Sequence, residues 1–159
     1  MRIGLVSDTH GLMRTEALAA LASVDRILHA GDVGRLSVLR ELEALAPVQA
    51  VYGNVDDPAF DLPQHLELTF EGVRVHVSHG HELGSPTPPK LVAAYEAEVI
   101  VYGHTHRQLI QTVETRGRRT LVVNPGAAGP RRFKLAASVA ILTITGGEAS
   151  AELVSLLSA

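Results

Sequence analysis

With 159 residues, 46% of them hydrophobic, the chain is long enough to bury one sizeable core and is expected to form a single domain over 1–159. It contains no cysteine, which excludes disulfides, thiolate metal sites and thiol nucleophiles and leaves any metal to nitrogen and oxygen ligands. A formal charge of −3 and 4% aromatic residues give neither a phosphate-tracking basic surface nor a stacking platform, so no dedicated nucleic-acid surface is expected, while a small phosphorylated substrate stays open.

The first apolar run, at 2–6, stops at Ser7-Asp8-Thr9-His10, and no run approaches a membrane span, so a soluble, cytoplasmic protein without a membrane partner is expected. Leucines at helical spacing predict helices over 16–22 and 37–45, with Thr15 and with Ser37 or Gly34 as candidate caps. Set between apolar runs at 2–6, 27–30 and 48–52, they form a β-α-β-α-β half that should close into a parallel sheet by right-handed crossovers. Next, 66–70 and 73–77 alternate around Glu71-Gly72, which reads as a hairpin. Pro86, Pro88 and Pro89 mark a loop, and Pro89 suits the first turn of a helix over 90–97, before a strand at 99–102. Strands at 109–115, 119–123, 136–145 and 149–157 complete the chain, separated by Arg116-Gly117, by the Gly126 to Pro130 loop and by Gly146-Gly147. A parallel half followed by a β-rich half predicts two sheets packed face to face with helices outside.

Five strand ends carry metal-ligand chemistry. In chain order they supply Asp8, His10, Asp32, Asn54, His79, His104 and His106, separated by 2, 22, 22, 25, 25 and 2 positions. Taken singly, Asp32 after Gly31 or Asn54 after Gly53 is ordinary turn chemistry, and His10 or His79 an ordinary loop histidine. Their conjunction in type, order and placement points to metal. Seven ligands exceed what one ion needs but suit two ions that share a carboxylate, the arrangement used for phosphoryl displacement.

In this order, Asp8-x-His10, Gly31-Asp32, Gly53-Asn54-x-Asp56, His79-Gly80 and Gly103-His104-x-His106 resemble the five motifs of the calcineurin-like metallophosphoesterases. Ser78-His79-Gly80-His81, and Asn124-Pro125-Gly126 followed by Pro130-Arg131, resemble the small bacterial and archaeal phosphodiesterase branch. The resemblance implies a four-layer α/β/β/α sandwich of two mixed sheets. It implies one metal on Asp8, His10, Asp32 and His106 and a second on Asp32, Asn54, His79 and His104, with Asp32 bridging. Manganese is the first expectation, with nickel, cobalt, iron or zinc as alternatives. It further implies hydrolysis of small phosphodiesters by a metal-bridging hydroxide. Many relatives place a histidine directly after the motif asparagine as a general acid; this chain has Val55 there, as the small branch commonly does.

Other residues have two readings each. His81, two residues past His79, would face the same cavity and touch the substrate or its leaving group, against a plain loop role. Asp56 would orient a ligand histidine, against a turn or capping role before Pro58. Arg131, Arg132 and Lys134 could fork onto phosphate, against a solvated basic cluster. His29 and His76 fall inside strand patterns and read as hydrogen-bonded interior groups, and His65 carries no assignment. The competing class is a scaffold that keeps the fold and binds proteins, with a homo-oligomer also open. A zincin site fails because His81-Glu82 is followed by Ser85, and no phosphate-binding loop ending in Gly-Lys-Ser/Thr is present.

Overall fold

The computed structural model describes residues 1–131 and 135–156. In chain order these form β1 (Arg2–Val6), α1 (Thr15–Ala20), β2 (Arg26–His29), α2 (Leu36–Glu43), β3 (Val48–Ala50), β4 (His65–Phe70), β5 (Val73–Ser78), α3 (Pro88–Ala94), β6 (Val99–Val101), β7 (Leu109–Thr115), β8 (Arg118–Asn124), β9 (Ser138–Thr145) and β10 (Glu148–Ser155). Arg132, Lys134 and residue 157 lie outside the described residues, so the expected phosphate contact from Arg132 or Lys134 and the end of the last predicted strand have no structural account.

Two five-stranded sheets result, ordered β10-β9-β1-β2-β3 and β4-β5-β6-β8-β7. In the first, β1, β2 and β3 are parallel, and β9 joins β1 antiparallel with Arg2 opposite Thr143. In the second, β5, β6 and β8 are parallel, while β4 and β7 are antiparallel edges. Ile3, Leu5, Leu28, Val75, Val77, Val99, Val101 and Leu142 meet between the sheets in one apolar layer. Ala17, Leu21, Val38 and Leu42 of the α1 and α2 region seal the outer face of the first sheet against Ile27 and Ile141. Leu91 and Val92 of α3 cover the second against Ile100 and Val122. The order of layers is therefore α/β/β/α. Complete burial of a leucine or isoleucine here contributes about 1.5–3 kcal/mol.

Parallel pairing sends the ends of β1, β2, β5 and β6 to the same edge of the sandwich, and the ligand loops leave from that edge. The capping expectation is corrected. Arg14 and Arg35 occupy the N-cap positions without side-chain caps, and Thr15 and Ser37 lie inside the helices. The incoming ligand loops deliver extended backbone at Arg14 and Arg35, so loop geometry sets where these helices begin. α3 does have the expected proline-led start, at Pro88-Pro89 with Thr87 accepting from the Lys90 amide at 3.4 Å, but it ends at Ala94 instead of reaching 97, because Tyr95 is extended.

Candidate metal centre

All seven expected ligands converge at this edge. His106 Nε2 lies 3.3 Å from Asp8 Oδ1 and from His10 Nε2. His10 Nε2 is 3.7 Å from Asp8 Oδ1 and also from Asp32 Oδ2. His79 Nε2 stands 3.2 Å from Asp32 Oδ2 and 3.9 Å from Asp8 Oδ1. Asp8, His10 and His106 form one compact ligand group, and Asp8, Asp32 and His79 another. Asp8 is common to both groups, and the reach of His10 to Asp32 ties Asp32 to the first. His104 Nδ1 donates to Asn54 Oδ1 at 3.1 Å, and the His104 ring sits edge-on to His79 at 5.2 Å.

The backbone is held in unusual geometry to do this. Asp8, His10, Asp32, His104 and His106 all have positive φ, between 46° and 72°, and they are five of the eight non-glycine residues with positive φ among the described residues. Such conformations cost energy in a carboxylate or imidazole residue and persist only where surrounding contacts impose them. Those contacts are loop-to-loop amides: Asp8 N–H to Gly31 O at 3.0 Å, His10 N–H to Asp32 O at 2.9 Å, and Gly103 N–H to His79 O at 3.0 Å. Close approach requires glycine. A Cβ at Gly53 would lie 2.0 Å from the Asp32 nitrogen, and one at Gly103 would lie 2.0 Å from Ser7 Oγ and 2.7 Å from Asp8 Oδ2.

Each carboxylate has one oxygen tied and one aimed inward. Asp8 Oδ2 accepts from Ser7 Oγ at 2.6 Å and from the His104 amide at 3.1 Å, which leaves Oδ1 facing the imidazoles. Asp32 Oδ1 accepts from the Val55 amide at 3.0 Å, which leaves Oδ2. His79 Nδ1–H donates to the Ala30 carbonyl at 2.8 Å, so its neutral form is the tautomer whose free Nε2 faces the centre. Asp8 Oδ1 and His79 Nε2 are buried with no hydrogen-bond partner among the described residues. A buried polar atom left unpaired costs about 1–3 kcal/mol, so a pair of them converging on one point fits a divalent cation bound by nitrogen and oxygen.

The charges of these groups are coupled. Burial disfavours ionised Asp8, but His10, His106, the charge of His79 and the Ser7 hydroxyl outweigh it and hold the carboxyl well below its usual range. Burial likewise opposes ionised Asp32, and His79 and the Val55 amide overcome it to lower its pKa. His79 is raised, because Asp32 and Asp8 outweigh the burial that alone would lower it. His104 is lowered by burial and then by neighbouring His79.

Other expectations resolve as follows. His81 borders the centre, its ring 5.3 Å from that of His79 and 6.3 Å from that of His104. Asp56 does not touch a ligand histidine; it accepts from the Gly34 and Gly53 amides, each at 2.9 Å, and so fastens the loop after Asp32 to the loop before Asn54. The nearby cap before Pro58 is Asp57. His29 is interior, accepting from the Gly31 amide at 3.1 Å through Nδ1 and bonding Thr9 Oγ1 at 3.0 Å through Nε2. His76 is also buried, bonded to Glu67 and to Ser78 Oγ. Arg131 is exposed.

Sequence reading missed Ser7, Thr9 and the role of Asn124. Asn124 Nδ2 donates to Gly103 O at 3.3 Å and to Thr105 Oγ1 at 3.0 Å, while its Oδ1 accepts from Gly126 N–H. It therefore braces the loop that carries His104 and His106 from the end of β8. The signal was present in Asn124-Pro125-Gly126, but not its target.

Residues 1–147 match the calcineurin-like phosphoesterase superfamily domain. The chain belongs to that family. A probable metallophosphoesterase of Methanothermobacter thermautotrophicus is 33% identical over 163 residues, covering 97% of this chain and 92% of its own length. A protein of Methanocaldococcus jannaschii named as a phosphodiesterase is 28% identical over 144 residues, covering 79% of this chain and 83% of its own. Among solved structures, Vps29 of Chaetomium thermophilum superposes with a TM-score of 0.78 over 98% of this chain and 97% of that one, at 18% identity, which is a likeness of fold. The calcineurin-like phosphoesterase fold thus accounts for the paired sheets and for the loops converging at one edge. Among the described residues no helix is long and apolar enough to cross a membrane.

Proposed function

We propose that this protein is a phosphodiesterase for small phosphodiesters, with one divalent ion on Asp8, His10, Asp32 and His106 and another on Asp32, Asn54, His79 and His104. The observation that carries this reading is the convergence of Asp8 Oδ1 and His79 Nε2, buried and unpartnered, on Asp32 Oδ2 and the Nε2 atoms of His10 and His106. Ions held there would acidify water into a nucleophile near neutral pH and neutralise phosphate charge. Mixed nitrogen and oxygen ligation favours manganese, iron, cobalt, nickel or zinc over calcium.

The protein's own part is arrangement. Ser7 and the His104 amide orient Asp8, the Val55 amide orients Asp32, and the Ala30 carbonyl sets the His79 tautomer. Val55 cannot protonate a departing ester oxygen. His81 is the neighbouring group with that capacity, giving its proton to the alkoxide as the bond to phosphorus breaks, so that an alcohol and a phosphomonoester leave. The relative named as a phosphodiesterase supports the ester class.

A scaffold role is the second reading, favoured by the Vps29 fold likeness. Retention of every expected ligand supports catalysis over it. Metal-free protein, reconstituted separately with manganese, nickel, cobalt, zinc and magnesium, should hydrolyse phosphodiesters faster than phosphomonoesters with at least one ion. Ion binding without hydrolysis of any phosphoester in the panel would favour the scaffold.

A further inference from the structure

His81 is followed by a carboxylate that is bonded on both oxygens. Glu82 Oε1 accepts from the Gly80 amide at 2.9 Å, and Oε2 accepts from the Tyr95 hydroxyl at 2.9 Å. His81 Nδ1, buried and without a hydrogen-bond partner among the described residues, faces Glu82 Oε1 at 4.0 Å. Tyr95 stands at the C-cap of α3 and lies flat on the His76 ring, 3.7 Å between centroids and 19° between planes. His76 is fully buried and anchored to Glu67 and Ser78. A continuous set of contacts thus runs from the outer face of the second sheet to the loop that leaves His79. Burial, then Glu82, pushes the Tyr95 phenol up to about 12, which keeps it a donor.

The left-handed Gly80, at φ 102°, turns the chain so that His81 starts a short 3-10 turn over His81–Leu83 beside the centre. Without the Glu82 bonds, that turn would be held mainly by the amides of Leu83 and Gly84, which bond to Gly80 O and His81 O at 3.0 Å each. Those bonds fix the turn's backbone and not the direction of the imidazole.

We propose that Glu82 and Tyr95 are positioning residues, a clamp that turns His81 Nδ1 toward the Glu82 carboxylate and leaves the Nε2 edge for the leaving oxygen of the substrate. The kinetic half of this inference rests on the phosphodiesterase reading; the geometric half does not. Tyr95→Phe keeps the ring on His76 and removes the hydroxyl, while Glu82→Gln keeps shape and removes charge.

With the metal-loaded protein and diphenyl phosphate, whose phenol is a poor leaving group and so depends on protonation, each substitution should lower kcat about tenfold with KM and metal content unchanged. In a His81→Ala background, neither should cause further loss, because coupled groups are non-additive. In the metal-free protein, the ring 15N resonances of His81, assigned by their loss in His81→Ala, should move in both variants while those of His10 stay. Losses that add to His81→Ala, or unmoved His81 resonances, would overturn the clamp. A wild-type protein that binds ions and hydrolyses nothing would instead refute the phosphodiesterase reading, and the resonances would still decide the clamp. If Tyr95→Phe destabilises the protein, Glu82→Gln decides the same question without disturbing the ring stack.

Discussion

Acid should weaken the metal-free fold through His29, a residue that binds no metal. Burial holds its imidazole at about 4, against the usual 6.5, and its Nδ1 must stay unprotonated to accept from the Gly31 amide. The unfolded chain therefore takes up a proton first as pH falls, so stability is full above 6.5 and is lost progressively down to about 4. Linkage over that interval amounts to about 3 kcal/mol, of which about 2 kcal/mol is gone by about pH 5. His79 works in the opposite sense: its raised pKa adds stability below the unfolded value that is lost as pH rises through the folded one. Asp8 and Asp32 are depressed, so their contribution is present above the ordinary carboxylate range and is lost only below it. Comparison with His29→Gln isolates the one group. Urea denaturation in chelator at about pH 7, 6 and 5 should show a wild-type loss steeper than the variant's by about 2 kcal/mol, whatever the variant's starting stability. Parallel pH profiles would refute the assignment of acid sensitivity to His29.

Three further expectations follow from the centre. Asp32→Ala takes a ligand from both proposed ions and Asn54→Ala from one, so metal content and hydrolysis should fall further in the first; near-wild-type hydrolysis by Asp32→Ala would sink the ligand assignment. Gly103→Ala forces a methyl onto Ser7 Oγ and Asp8 Oδ2, and should lose about 1–3 kcal/mol of stability together with metal affinity, both read by thermal denaturation with and without ions. With His81 as the acid in place of the one absent at Val55, single-turnover rates on substituted phenyl phosphodiesters should depend only weakly on leaving-group acidity and turn steep in His81→Ala; a wild-type series that is already steep would contradict that role.

The sandwich and the convergence of the seven residues were legible because each proposed ligand lies in a loop just past an apolar strand, and parallel pairing must bring such ends to one edge. Helix starts were less so: Thr15 and Ser37 have capping chemistry, but the entering loops had already placed Arg14 and Arg35 at the caps. Of the two readings of Asp56, the one that binds loop backbone holds, for a related reason. A carboxylate near ligands suggests an imidazole partner, yet the crowded Gly34 and Gly53 amides claim it. The left-handed backbone at Asp8, His10, Asp32, His104 and His106 arises from hydrogen bonds between loops far apart in the chain, which no local pattern encodes. Tyr95 was hidden similarly, since it reaches Glu82 only once α3 has folded over the second sheet.

The central claim is that these seven residues hold two catalytic ions. Its most direct test is to titrate manganese into metal-free protein, measuring bound metal after desalting and phosphodiester hydrolysis on the same samples. Saturation at two ions per chain, with hydrolysis rising as the second binds, is the predicted result. Saturation at a single ion, or two ions bound with no hydrolysis, would contradict it.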